Sequence, residues 1–305
     1  MKRDTANQND VYTRITNRII ADLEQGVKSW SQPWSAANTA GRITIPRRHN
    51  GQAYQGINIL SLWASSMDQG FASATWMTFK QAQELGGHVI KGEKGSLVVY
   101  ANTLQRTEEN DDGQEVELQI PYMKGYTVFN VEQIEGLPDQ YYDKPEPAGE
   151  TVERIDHADA FFTATGAVIH NGGDRAYYAI GPDHIKLPYI EAFRDAESYY
   201  ATLAHEITHW TRHESRLNRD LGRKTWGDEG YAQEELVAEL GAAFLCADLG
   251  LALEDREDHA AYIGSWLKVL KNDKRAIFRA AAHAQRAVNY LHGLQYQAAK
   301  NGEAA

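Results

Sequence analysis

The first stretch of the chain with a clear period has apolar residues four apart. Val11, Ile15, Ile19 and Leu23 fall on one face and the pattern stops at Gly26, which predicts an amphipathic helix over residues 11–25. A connection rich in Trp, Pro, Ser and Gly follows, running from Ser29 through Trp30 and Trp34 to Arg48. Residues 58–66 and 78–85 read as two short helices, the second stopped by Gly86-Gly87. Strands are predicted over residues 97–101, 116–122 and 125–130, with the acidic run 108–113 as a solvated hairpin loop. The N-terminal region is therefore expected to be α+β with a small antiparallel sheet.

Residues 138–151, with Pro145 and Pro147 around Glu146, have linker composition. Beyond them a helix is expected at 156–166, a strand at 176–180, and helices at 199–213, 231–249, 259–270 and 273–297. This divides the chain into an N-terminal domain at 1–137, a linker at 138–151 and a mostly helical domain at 152–305. With 305 residues, each domain has enough chain for a core of its own.

Charge sharpens that division. The net charge of −11 argues against nucleic-acid binding until it is split. Residues 1–106 hold 12 Lys and Arg against 7 Asp and Glu, a balance of +5, while the remainder holds 19 against 35, a balance of −16. A basic module followed by an acidic one is implied. No apolar stretch follows the N-terminus, the run 240–247 is too short to span a bilayer, and Cys246 has no partner for a disulfide. These features lead to the expectation of a cytoplasmic protein with no membrane partner.

The most specific chemistry lies at His205-Glu206-Ile207-Thr208-His209, an H-E-x-x-H pattern on an expected helix. Side chains four apart share a helix face, so both imidazoles can hold one ion. Glu206, one residue beyond His205, flanks that ion as a general base, taking a proton from the attacking water and passing it to the departing amine. Zinc suits such a site, although two imidazoles and a carboxylate also suit manganese, cobalt or nickel. A third ligand is needed. His213 is excluded, because eight residues along a helix is about 12 Å of rise. The acidic helix at 231–249 is the better source, with Glu235 as ligand and Glu239, four residues on, as the carboxylate that orients a ligand histidine. Glu229 and Glu234 remain alternatives at this stage. Gly241-Ala242-Ala243 leaves little side chain, which lets this helix approach another closely.

Together, the 205–209 motif and the segment 231–240 (Tyr-Ala-Gln-Glu-Glu-Leu-Val-Ala-Glu-Leu) resemble the zincin-like domain of ArdC-type antirestriction proteins of conjugative plasmids. The resemblance extends to Ala176-Tyr177-Tyr178, Asp183, Pro188 and Ser215-Arg216-Leu217. In gluzincin peptidases generally, the glutamate of the following helix binds the metal, which favours Glu235. The zincin likeness also implies an edge strand beside the active-site helix that pairs with extended substrate, a part that residues 176–180 can take.

The N-terminal region interleaves aromatic and basic residues, among them Arg47, Arg48, Tyr54, Trp76, Lys91 and Lys94. Binding of single strands needs that mixture, with cations on phosphates and aromatic faces on bases. Trp34, the segment 50–58, the segment 76–82 and Gly86-Gly87-His88-Val89-Ile90-Lys91-Gly92-Glu93-Lys94-Gly95 resemble the domain shared by ArdC and TraC-type plasmid primases. That likeness implies sequence-nonspecific single-stranded DNA as partner, with Arg47, Arg48, Tyr54, Lys91, Lys94 and Trp76 as candidate contacts. Trp76 has a core position as its alternative. The likeness further implies protection of incoming plasmid DNA from host restriction, with an unidentified protein substrate such as a component of a restriction system. The alternative is a single-strand binder whose metal domain is structural or vestigial and which protects by shielding alone.

Overall fold

The structure, a computed structural model, describes residues 11–25, 28, 30, 44–109, 115–142, 151–193, 195–222, 229–252 and 259–302. Trp34, the tip of the acidic hairpin at 110–113 and the linker residues 143–150 lie outside the described residues.

Helix α1 (Val11–Glu24) buries the expected stripe, with Ile15, Ile19 and Leu23 at most 5% exposed. Strand β1 (Arg47–Arg48) precedes α2 (Ile57–Gln69), and β2 (Thr75–Met77) leads into the short α3 (Phe79–Glu84). Helix α3 starts where a capping box predicts: the Thr78 hydroxyl accepts from Gln81 N, and the Gln81 side chain accepts from Thr78 N. Strand β3 (His88–Val89) is followed by two long strands, β4 (Ser96–Glu109) and β5 (Glu115–Asn130), and by β6 (Ile134–Glu135). One sheet runs β1-β2-β5-β4, with β1 and β2 parallel and the other pairs antiparallel, while β3 and β6 form a separate pair.

The break expected at 122–125 is absent, and β5 runs unbroken through Pro121 and Gly125. Pro121 lies in a stretch that pairs only with β4, where a missing amide is tolerated. Gly125 is where α1 lands on the hairpin, since a Cβ there would lie 2.9 Å from a Val11 methyl.

The second half opens with α4 (Thr151–Ala164). A three-stranded sheet follows, made of β7 (Val168–Asn171), β8 (Tyr177–Ala179) and β9 (His184–Leu187) in the order β7-β9-β8. Among the described residues four α-helices follow: α5 (Ala196–Trp210), α6 (Glu229–Leu249), α7 (His259–Asn272) and α8 (Ala276–Gly302). Helix α6 is buried on nearly every face, as a helix packed between α5, α7 and α8 must be.

One buried cluster joins the two halves, running from Ile15 and Trp63 to Phe244, Trp266 and Leu291. Trp63 meets Phe244 with ring centroids 5.9 Å apart, Trp30 meets Trp266 edge-on at 6.0 Å, and the Thr16 hydroxyl donates to Lys274 O at 2.6 Å. Cys246 sits within this cluster and burial pushes its thiol up to about 12, the environment of an inert packing residue. Among the described residues no helix is long and apolar enough to cross a membrane.

Candidate metal centre

Helix α5 carries both histidines and is pinned at its start and its end. Asp195 caps the first turn, accepting from Ser198 N at 2.8 Å, and the last turn closes with the Thr211 hydroxyl donating to Thr208 O at 2.6 Å. Beyond that turn, Arg216 stacks over the Trp210 ring at 3.9 Å and pairs with Asp183, between β8 and β9. The Tyr178 hydroxyl donates to Asp183 at 2.8 Å, so the hairpin β8–β9 is tied to the end of α5. Arg216 holds the Asp183 carboxyl below the usual range, and burial pushes the Tyr178 phenol above its own. Among the described residues strand β8 pairs on one side only, with β9, and α5 packs against both strands.

His205 and His209 are 5% and 9% exposed, with ring centroids 4.9 Å apart. Helix α6 crosses α5 so that its acids reach these rings from two directions. Glu235 Oε2 lies 3.6 Å from His205 Nε2 and Glu235 Oε1 lies 3.6 Å from His209 Nε2. On the far side of each ring stands another glutamate. Glu234 Oε1 is 3.1 Å from His209 Nδ1, and Glu239 Oε1 is 3.5 Å from His205 Nδ1, which no nearer acceptor reaches among the described residues. One helix thus presents three carboxylates to two imidazoles, and both Nε2 atoms point toward Glu235.

This arrangement fits a divalent ion. His205, His209 and Glu235 offer donor atoms within 4.8 Å of one another, all from buried residues. A tetrahedral ion with bonds of about 2.0–2.1 Å sets its donors roughly 3.4 Å apart, and the two nitrogen–oxygen separations here are 3.6 Å. Charge argues the same way. Glu234 and Glu235 are 1% and 9% exposed, and the buried Arg219 offsets Glu234 while Glu235 faces the two rings. A buried carboxylate is costly unless a cation or protons balance it. Desolvation alone would drive the proton off His209, yet Glu235 and Glu234 outweigh it and raise the imidazole to about 10. Burial opposes ionisation of Glu235 and Glu234, but the histidines keep Glu235 below the usual carboxylate range. Arg219 and His209 bring Glu234 down to about 2.

The close crossing of the two helices depends on Gly241. A Cβ there would lie 2.5 Å from Thr208 Cγ2 and 2.6 Å from Thr208 Oγ1, and that hydroxyl already donates to Ala204 O at 2.8 Å. Glycine to alanine inside a helix ordinarily stabilises by about 0.5–1 kcal/mol. Gly241→Ala is expected to do the reverse, costing about 1–3 kcal/mol through overpacking. It should also weaken metal binding, because α6 carries Glu235 away from the histidines. Thermal melts with and without metal check both effects; a stabilised variant with unchanged affinity would remove the close-approach argument.

Glu229, the other acid considered from sequence, is the exposed first residue of α6 and stands outside the donor group. His213 turns to Ser215, its Nδ1 2.8 Å from the serine hydroxyl. Arg219 was not visible as a site residue in the sequence, since no spacing rule connects a loop arginine to Glu234.

The basic and aromatic candidates of the N-terminal half divide. Arg47 and Arg48 are exposed on β1, and Lys91 and Lys94 are exposed in the turn after β3. Tyr54 and Trp76 are 4% and 1% exposed, which corrects the reading of Tyr54 as a stacking platform and leaves Trp76 with its alternative, a core position. Arg48 covers the Tyr54 ring at 5.4 Å, and Trp76 packs edge-on against Phe71 at 5.7 Å, so both rings belong to the core. Lys94 lines a cleft of about 400 Å³ with Arg14 and Arg18, the latter paired with Asp68. Arg47 lines another, of about 300 Å³, beside Tyr141, and the two clefts share no residue. Arg14 and Arg18, four apart on α1 beside the apolar stripe, are cations that the sequence analysis did not single out.

Two family models match along the chain. A family model described as the N-terminal domain of anti-restriction factor ArdC matches residues 9–129, and one described as a zincin-like metallopeptidase matches residues 156–283. The chain is similar to the antirestriction protein ArdC from the R388 plasmid, at 47% identity over 94% of this chain and 98% of that one. The TM-score is 0.79 for the metal-free crystal structure and 0.77 for the Mn(II)-bound one. It is 41% identical to the uncharacterized protein y4eC of Sinorhizobium fredii (strain NBRC 101917 / NGR234), over 96% of this chain and 94% of that protein. Two DNA primases TraC of Escherichia coli are each 39% identical, over 92% and 91% of this chain but only 27% and 19% of the primases.

Proposed function

Given that the chain belongs to the ArdC family of antirestriction proteins, an ArdC N-terminal domain joined to a zincin-like metallopeptidase domain, we propose that it binds single-stranded DNA through the first domain. We propose further that it hydrolyses peptide bonds at His205, His209 and Glu235 in the second, with Glu206 as general base. The observation that carries the peptidase reading is the convergence of both Nε2 atoms on one buried carboxylate, each at 3.6 Å, beside the glutamate that follows His205.

In this reading His205, His209 and Glu235 hold the ion, which supplies Lewis acidity to the scissile carbonyl and to water. Glu234 and Glu239 fix the ring orientations from behind. Glu206 takes the proton of the attacking water and delivers it to the leaving amine. Strand β8, with one side unpaired among the described residues, is the natural rail for an extended substrate. The relative crystallised with Mn(II) favours manganese alongside zinc as the native ion. DNA binding finds support in the match to the ArdC N-terminal domain and in the exposed Arg47, Arg48, Lys91 and Lys94. The protein substrate is proposed to be a component of a restriction system, met at the incoming strand.

Metal binding itself tests the centre. A ligand imidazole must be neutral, whereas Glu235 and Glu234 outweigh desolvation and raise His209 to about 10 when no ion is bound. Uptake of Zn²⁺ or Mn²⁺ at pH 7 is therefore expected to release about one proton, with affinity rising about tenfold per pH unit from pH 7 to 9. Titration calorimetry in two buffers of different ionisation enthalpy reads the proton count. A heat that does not depend on buffer would contradict the protonated ring.

A further inference from the structure

We propose that Arg219 is a positioning residue for the metal centre: it locks Glu234 as the acceptor that orients His209 and thereby sets the affinity for the ion. The inference rests on the metal-binding reading above and adds a residue outside the donor group.

Arg219 lies in the loop that leaves α5, and its side chain is 1% exposed. Every arm of the guanidinium is used. Its Nε donates to Glu234 Oε2 at 2.9 Å and its Nη2 to Glu234 Oε1 at 2.8 Å, a two-bond fork on one carboxylate. The same Nη2 donates to Thr208 O at 3.0 Å, and Nη1 donates to the Thr211 hydroxyl at 3.1 Å. Glu234 Oε1 in turn lies 3.1 Å from His209 Nδ1. Guanidinium, carboxylate and imidazole thus form one chain that ends at the Nε2 facing Glu235.

Two features separate this chain from ordinary packing. Its contacts fall on the immediate neighbours of two ligands, since Thr208 precedes His209 and Glu234 precedes Glu235. A shift of the guanidinium therefore moves donor atoms on both α5 and α6. The planar fork also fixes the carboxylate in direction, which the point charge of a lysine does not do. His205 lacks an equally close arrangement, with Glu239 at 3.5 Å from its Nδ1. Arg216, in the same loop, reaches the other way to Asp183, so the two arginines serve different elements.

The test measures dissociation constants for Zn²⁺ and Mn²⁺ on the folded full chain, by competition with a chromophoric chelator, alongside thermal melts. Arg219→Met and Glu234→Gln are each expected to weaken metal binding about 10–100-fold. The double variant should bind no more weakly than the worse single, because both changes break the same chain. Arg219→Lys keeps the charge without the fork and should fall between wild type and Arg219→Met. Asn58→Ala, which removes two hydrogen bonds to Val99 in the N-terminal half, should lower Tm and leave the metal affinity unchanged. The proposal is overturned if Arg219→Met melts earlier yet binds metal as tightly as wild type, or if the two single losses multiply in the double. Where Arg219→Met does not fold, Arg219→Lys and the double variant, which removes the Glu234 charge along with its partner, carry the comparison. A wild-type chain that takes up neither ion removes the metal reading and this inference with it. Tight wild-type binding beside an unaffected variant removes this inference alone.

Discussion

Replacement of Glu206 by glutamine is expected to lower peptide hydrolysis by about 10²–10⁴-fold while leaving metal affinity within a few-fold of wild type. Glutamine keeps the shape of the side chain and its room in the packing, which matters at a residue only 3% exposed. What it loses is the ability to take a proton. Glu206 is not among the residues whose donor atoms converge, so the ion should stay in place. Hydrolysis of a fluorogenic peptide library, measured beside metal content, gives the result directly. A variant that cleaves at the wild-type rate would reassign the base, and one that loses its metal would make Glu206 a ligand. The same variant separates the two ways in which the family's antirestriction role can arise. The low exposure of His205, His209 and Glu235 is what a structural metal site would also show. If protection of incoming DNA survives once hydrolysis is gone, shielding is the mechanism and the metal serves the fold.

The metal site was legible in the sequence because its two histidines obey a one-turn rule that does not depend on the rest of the protein. Among the acids of α6, spacing gave roles to Glu235 and Glu239, whereas Glu234 stayed an alternative ligand and its place behind His209 was not readable. Glu234 and Glu235 are adjacent, so they diverge by about 100° around the helix, and which one meets an Nε2 depends on how α6 crosses α5. That crossing is set by Gly241 against Thr208, a contact between residues 33 apart in sequence that no periodicity reveals. The sheet β7-β9-β8 was foreseen only at β8, because β7 and β9 are four residues each and carry histidine and lysine among their apolar positions. Tyr54 and Trp76 illustrate the opposite problem. Aromatic residues among basic ones suit either a core or a nucleic-acid surface, and burial alone distinguishes them.

For the N-terminal domain, removing the positive charge of Arg47, Arg48, Lys91 and Lys94 together is expected to flatten the salt dependence of single-strand binding. Each phosphate contact on a single strand contributes about 0.7 to the slope of log affinity against log salt, so four contacts contribute about 2.8. Between 50 and 200 mM salt that corresponds to roughly a fiftyfold loss that wild type would show and the quadruple alanine variant would not. All four side chains are exposed, so the fold should tolerate the change, and an unaltered melting temperature is the control. Tyr54→Ala and Trp76→Ala serve as the contrast. Their rings are 4% and 1% exposed, and truncation should cost stability before it touches DNA affinity. The two clefts allow a finer division. Lys94 stands with Arg14 and Arg18, and Arg47 stands apart from them beside Tyr141. If the strand follows one cleft only, one pair of substitutions carries the whole change in slope; if it spans both, the pairs contribute comparably. A quadruple variant with the wild-type slope would move the DNA track away from these residues altogether.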